Sequence, residues 1–194
     1  MVAWDGVTLL TTDRLVLRTF RRDDLPAYAA LNAQPEVYRW LGGAPLSREH
    51  SDEIAEWANE CVQAQGYGLV AVERASDGVL LGMCGLHHQE SFPDDVEIAW
   101  RLAFEHWGHG YATEAARAWL TFGFDVVGLP AVISTTDHDN ERSQGVMRRL
   151  GMTYDRRTTM VDDGQEFDAV VYVIRSDQHR AAEGSTEAPT MPPM

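Results

Sequence analysis

One stretch, running from Val96 to Ala116, constrains this chain more than any other. Val96-Glu97-Ile98-Ala99-Trp100-Arg101-Leu102 reads as a strand. Trp107-Gly108-His109-Gly110-Tyr111-Ala112 is a glycine turn that opens into a helical pattern near Thr113. A strand that passes through glycines into the first turn of a helix makes an anion cradle. The first amides of a helix have no intrahelical partner, and the macrodipole adds partial positive charge at that end. Glycines let the backbone approach bound oxygens with no Cβ in the way. Taken alone, the spacing also fits an ordinary strand-to-helix turn.

Two phosphate motifs are poor matches. A P-loop needs a lysine after its second glycine, and all sixteen basic residues of this chain are arginines. A dinucleotide fingerprint wants a third glycine where Thr113 stands, and it usually sits in the first strand-helix unit rather than in mid-chain.

The stretch resembles instead the cofactor motif of the GNAT (GCN5-related N-acetyltransferase) superfamily. That pattern, Gln/Arg-x-x-Gly-x-Gly/Ala after the fourth strand, is met by Trp107-x-x-Gly110-x-Ala112. Glu97-Ile98-Ala99-Trp100, the run Trp107 to Ala115, and Thr12-Asp13-Arg14-Leu15-Val16-Leu17-Arg18 look like the branch that acetylates ribosomal-protein N-termini, the RimJ/RimL type. Trp107 stands where Gln or Arg is usual, and His109 where Lys or Arg is frequent. Asn140-Glu141-Arg142-Ser143 followed by Leu150-Gly151-Met152 resembles the second cofactor segment, although an Asn-capped, Gly-terminated helix reads the same way. The resemblance covers roughly residues 8 to 175.

It implies a single-domain α/β GNAT fold, 1–175. The sheet is mixed but mostly antiparallel, with six to seven strands that splay between the fourth and fifth, and about four helices accompany it. The polar, proline-rich segment 176–194 reads as a disordered tail.

Local signals agree with that size. Strands are expected at 7–10, 15–20, 67–74, 79–88, 96–102, 131–136, 152–162 and 166–175, the last two joined around Asp162-Asp163-Gly164. Helices are expected from the acidic start at Asp23-Asp24 to Ala33, from a Ser47 cap through Ala64 to Gly66, from near Thr113 to Val127, and from Glu141 to Leu150. Pro35 marks a break, and Phe92-Pro93-Asp94-Asp95 a turn. His87-His88 reads as a pair of solvent-facing strand histidines with no ligand cluster around it, so no metal is expected. Cys61 and Cys84 read as packing thiols.

The start lacks a basic region followed by an apolar run, and no stretch of eighteen apolar residues occurs. A soluble, cytoplasmic protein without a membrane partner is expected. A formal net charge of −14 argues against nucleic acid and favours a cationic amine.

By the resemblance, acetyl-coenzyme A is the co-substrate. Its pantetheine arm meets backbone groups near Trp100 and Leu102, its pyrophosphate meets Gly108, His109, Gly110, Tyr111, Ala112 and Thr113, and Asn140 reaches the pantetheine. Arg142 or Arg148 is a candidate for the adenosine phosphate. Direct attack of an amine on a thioester needs a proton acceptor and a donor to the leaving thiolate. Glu97 is the leading base, with a structural or substrate-orienting carboxylate as its other role. Ser143 is the leading donor, and Tyr154 a weaker one. Trp40, Trp57 and Tyr38 are candidate pocket walls, and Asp94, Asp95, Asp162, Asp163, Glu166 and Asp168 would face the acceptor. The acceptor is a protein N-terminus or a small cationic amine, and a homodimer stays open. A non-catalytic acyl-coenzyme A binding module on the same fold is the alternative, and a nucleotide-binding regulatory protein a more distant one.

Overall fold

The computed structural model describes residues 2–89, 91–162 and 165–184. The chain runs β1 (Thr8–Thr11), β2 (Leu15–Arg18), α1 (Leu25–Asn32), α2 (Pro35–Tyr38), α3 (Arg48–Gln65), β3 (Leu69–Arg74), β4 (Leu80–Gln89) and β5 (Phe92–Leu102). It continues with α4 (Tyr111–Phe122), β6 (Ala131–Asp137), α5 (Glu141–Arg149), β7 (Thr153–Asp162), β8 (Gln165–Arg175) and α6 (Ser176–Gly184). One eight-stranded sheet forms in the order β1-β2-β3-β4-β5-β6-β8-β7.

Every neighbouring pair is antiparallel except β5 and β6, which are parallel and share a single Cα pairing, Glu97 with Ile133. A pair that touches at one point and then diverges leaves the strand edges open along the rest of its length. The splay therefore lies between the fifth and sixth strands rather than the fourth and fifth: Thr8–Thr11, which the local signals also give as a strand, counts as β1, and the sheet has eight strands where the family resemblance implies six or seven.

Two apolar layers cover the sheet. Val96, Ile98 and Leu102 of β5 pack with Ala115, Ala116, Trp119 and Leu120 of α4 and with Val146 and Met147 of α5. Tyr28 and Leu31 of α1, Ala55 and Ala58 of α3, and Met83 of β4 close the opposite face. The period-2 alternation of β5 thus sends Val96 and Ile98 to one layer and Ala99 to the other.

The end signals of α3 act as the sequence predicts. Ser47 accepts a hydrogen bond from the His50 amide, 3.1 Å, and Gly66 closes the helix at φ 80°. Four expectations need correction. The helix expected to reach Val127 is α-helical to Phe122 and ends in a π turn, Gly123–Val127. Phe92-Pro93-Asp94-Asp95 belongs to β5 and pairs through Phe92 with Gln89.

Among the described residues six α-helices form rather than about four. The short α2 follows Pro35, whose fixed φ suits a first turn. The sixth, α6, occupies 176–184, where the sequence predicts a disordered tail; His179 is buried there, with its ring 5.0 Å from that of Phe124. Residues 185–194 of that tail, and Asp163-Gly164 of the expected turn, lie outside the described residues.

Candidate active site

A cleft of about 1480 Å³ follows the opening between β5 and β6. Its lining includes the leading catalytic candidates and the expected cofactor contacts: Glu97, Trp100, Leu102, Gly108, His109, Gly110, Tyr111, Ala112, Thr113, Asn140 and Ser143. Residues far apart in the chain meet there because the glycine loop leads out of β5 on one side of the opening, while α5 follows β6 on the other.

The cradle has the geometry its sequence implies. Gly108 and Gly110 sit at φ 79° and 82°, in the left-handed region. A Cβ on Gly108 would meet nothing within 4 Å, and one on Gly110 only Arg14 Nη2 at 3.5 Å. Gly110 is the N-cap of α4 and brings no side-chain cap, so the leading amides of that helix are left for a ligand. An anion fits this loop. Thr113 is buried behind it, its hydroxyl 3.4 Å from Arg149 Nε, and the His109 ring stacks on Tyr111 at 5.8 Å.

Sequence reasoning missed the groups that brace the loop. Glu114 accepts from the Thr12 hydroxyl at 2.5 Å and from Arg14 Nε at 2.6 Å, and Arg14 Nη1 donates to the His109 carbonyl at 3.1 Å. The Arg14 guanidinium also lies 4.7 Å from the centre of the Tyr111 ring. The Thr12-Asp13-Arg14 turn is thus tied to the cradle across about a hundred residues of sequence. Trp107, which stands where Gln or Arg is usual, is held on both sides. Its indole donates to the Leu102 carbonyl at 2.8 Å, and Arg142 lies 5.5 Å above its ring from the far side of the opening. That bond occupies one lone pair of the Leu102 carbonyl, so a second donor there must share the oxygen.

On α5, the Asn140 Oδ1 accepts from the Ser143 amide at 3.2 Å, which commits the side-chain oxygen to capping the helix and leaves the NH2 group as the donor toward the cleft. The Ser143 hydroxyl makes no hydrogen bond with the described residues and lines the cleft. Arg142 and Arg149 line it too. Arg148 turns away to Glu141, 3.2 Å, and Tyr154 lies outside the cleft, half exposed.

The opposite half of the cleft is walled by Trp40 and Trp57, with Val37, Leu41 and Ile54; Tyr38 is not in the lining. Glu97 is buried there, 4% exposed, and its Oε1 accepts from the Thr135 amide at 2.8 Å and the Thr135 hydroxyl at 2.7 Å. Its Oε2 lies 3.5 Å from His87 Nε2.

His87, expected to face solvent, is largely buried and lies edge-on to Trp57, with ring centroids 6.1 Å apart. Burial holds its imidazole down to about 4, so it is neutral at neutral pH. Its Nδ1 lies 3.1 Å from the His88 carbonyl oxygen, which assigns the proton to Nδ1 and leaves Nε2 as an acceptor turned toward Glu97. Alternation on β4 carries the signal that could have found it: His87 shares the side of Met83, which packs inward, and His88 is exposed.

Four of the six acidic residues expected beside the acceptor are elsewhere. Asp94, Asp95, Glu166 and Asp168 do not line the cleft, and Asp168 is paired with Arg157; the Asp162 side chain and Asp163 lie outside the described residues. Among the described residues no His, Cys, Asp and Glu group could hold a metal ion, and no helix is long and apolar enough to cross a membrane. Burial also raises the Cys84 thiol beyond reach of ordinary pH, in keeping with a packing role.

A sheet opened beside a glycine cradle and an uncapped helix start is the architecture of an acyl-transferring enzyme that draws on coenzyme A. The Acetyltransferase (GNAT) domain matches residues 14–153, and the chain belongs to this acetyltransferase family, with acetyl-coenzyme A as co-substrate. The Bacillus subtilis protein YkkB is 33% identical over 151 residues, 77% of this chain and 87% of YkkB. The spermidine N(1)-acetyltransferase of Escherichia coli is 26% identical over 137 residues, 71% of this chain and 72% of that enzyme.

Among solved structures, an acetyltransferase from Agrobacterium tumefaciens superposes with a TM-score of 0.74 at 28% identity, covering 90% of this chain and 98% of that one. The ribosomal L7/L12 alpha-N-protein acetyltransferase RimL, in complex with coenzyme A, shares the fold at 17% identity, with a TM-score of 0.73 over 89% of this chain and 99% of its own.

Proposed function

We propose that the protein transfers the acetyl group of acetyl-coenzyme A by direct attack of a primary amine bound between β4, β5 and the α2–α3 wall. The observation that carries this reading is the Glu97–His87 pair. Two buried titratable groups 3.5 Å apart line the cleft beside the open strand edge, with one carboxylate oxygen fixed by Thr135. A carboxylate facing an imidazole lone pair is satisfied when a proton lies between them, so the pair is a proton acceptor.

An ammonium gives one proton to the pair. The neutral nitrogen then forms the C–N bond as the C–S bond breaks, and the second proton it sheds ends on the departing sulfur. The Ser143 hydroxyl is the relay for that proton. Backbone groups at Trp100 and Leu102 hold the thioester and pantetheine, the Asn140 NH2 donates to the pantetheine, and the loop from Gly108 to Thr113 takes the pyrophosphate.

Amine acceptors of two sizes go with this reading: spermidine for one relative, a ribosomal-protein N-terminus for RimL. A RimJ/RimL-type role and a cytoplasmic setting are the finer form of the proposal. Thermal-shift titration with acetyl-coenzyme A, coenzyme A, ATP and NAD, followed by thiol release over amines and basic N-terminal peptides, tests it. Stabilisation by the two coenzyme A species alone, with release from one acceptor class, is the expected result. Stabilisation with no release from any amine would instead define a binding module.

A further inference from the structure

Among the described residues, the acceptor half of the cleft contains one charged group, Arg101, that the acetyl-transfer chemistry does not use. Arg101 follows Trp100 on β5 and points to the same layer as Ala99, where its Nη1 donates to Asn32 Oδ1 at 3.0 Å and approaches the Tyr28 hydroxyl at 3.5 Å. Both partners are buried neutral groups of α1, themselves held by Ser51 Oγ, 2.8 Å from Asn32 Nδ2, and by Met83 Sδ, 2.5 Å from the Tyr28 hydroxyl. Among the described residues no carboxylate lies within ion-pair distance of Arg101, and its Nε and Nη2 make no hydrogen bond. A guanidinium stays charged at any accessible pH. Holding that charge in a partly buried cleft without a counter-ion is unfavourable, and an anion arriving from solvent removes the penalty.

We propose that Arg101 is the anchor for a carboxylate on the acceptor, so that the preferred acceptor is a primary amine bearing an acid group at its other end. This rests on the acetyltransfer reading and names its substrate class. The guanidinium is aimed from one side by Asn32 and Tyr28, which leaves its outer donors in the planar pair that suits a carboxylate. Glu97 and Arg101 are four residues apart on the same side of one strand, so their Cα atoms are about 13 Å apart at roughly 3.3 Å per residue. The amine therefore lies toward Glu97 and His87, and the acid toward Arg101, separated by several bonds. Trp40, Trp57 and Leu41 would cover the apolar chain between them. Asp94, Asp95, Glu166 and Asp168, which would have favoured a polycation, do not line this half; among the described residues the carboxylate it presents is Glu97, tied to Thr135 and His87.

The test compares 4-aminobutanoate and 6-aminohexanoate with their amides, with 3-aminopropyl phosphate and with spermidine, in thiol-release kinetics on wild type, Arg101→Gln and Arg101→Lys. In parallel, calorimetry measures binding of the same acids to coenzyme A-saturated protein. We expect at least one acid to exceed its amide by about tenfold or more in kcat/KM, Arg101→Gln to abolish that ratio through KM, and Arg101→Lys to keep part of it. Acetyl-coenzyme A affinity should stay within about twofold in both variants, which separates anchoring from a loss of folding.

A phosphate preferred over every carboxylate, amides or spermidine equal to the acids, or a ratio that survives Arg101→Gln overturns the assignment. Arg101-dependent binding of an acid without turnover of any amine would keep the anion site and refute the acetyltransfer reading instead.

Discussion

Lowering the pH from about 7.5 to about 5 should cost the fold about 2 kcal/mol through His87 alone. The imidazole has an ordinary value of 6.5 in the unfolded chain and is held to about 4 by burial in the folded one. Between those values the unfolded state binds the extra proton, so stability is fully present above about pH 6.5 and is lost as the pH falls toward 4. Each unit of difference corresponds to about 1.4 kcal/mol, and about one and a half units of the gap are traversed by pH 5. The hydrogen bond to the His88 carbonyl, 3.1 Å, acts in the opposite sense, and burial prevails over it.

Urea denaturation at both pH values, on wild type and His87→Gln, isolates the effect, because all other carboxylates and histidines cancel in the difference between the two proteins. The wild type should lose about 2 kcal/mol more than the variant. Equal losses would refute the reasoning, since they would mean that His87 titrates alike in the folded and unfolded chain.

Three other outcomes are expected. Gly110→Trp should lower acetyl-coenzyme A affinity by about 100-fold or more while costing only about 1–2 kcal/mol of stability from the left-handed backbone, because nothing but Arg14 Nη2 stands near that position; unchanged affinity in a titration removes the cradle assignment. Glu97→Gln should reduce kcat by about 10²-fold or more with little effect on acetyl-coenzyme A binding, and a normal rate across the pH range would exclude Glu97 as proton acceptor. Asn140→Ala should destabilise the fold by about 1 kcal/mol in thermal or urea melts, through loss of the cap on the Ser143 amide, and should weaken coenzyme A binding besides; an unchanged melt would contradict the 3.2 Å bond.

Much of the site could be read because its chemistry lies in short-range signals. The turn from Gly108 to Ala112 specifies its own backbone, as only glycine enters the left-handed region without penalty, and the Asn140 cap and Gly151 stop fix α5 by the same local logic. What escaped is long-range. Nothing near Arg14 in the chain announces that it braces His109 and Glu114, and Trp107 gives no sign in sequence that its indole will reach back to Leu102. His87 was misread because an adjacent histidine pair looks polar, whereas strand alternation sends one ring inward and the other out. The acidic loops misled in a related way: a net charge says nothing about which side chains face a cavity.

The cradle, the helix caps and the strand alternation, and hence the family, are legible in the chain alone, because each depends on residues within about one turn or one hairpin of one another. That β5 and β6 meet at a single pair and then part, which opens the cleft, follows from the packed fold. The same packing decided that Glu97 lies against Thr135 and His87, and that Arg101 rests on Asn32 and Tyr28 without a carboxylate among the described residues. These features are set by the register of strands and by a helix laid across them, and burial strengthens charge interactions only once the whole sheet has excluded water from its faces.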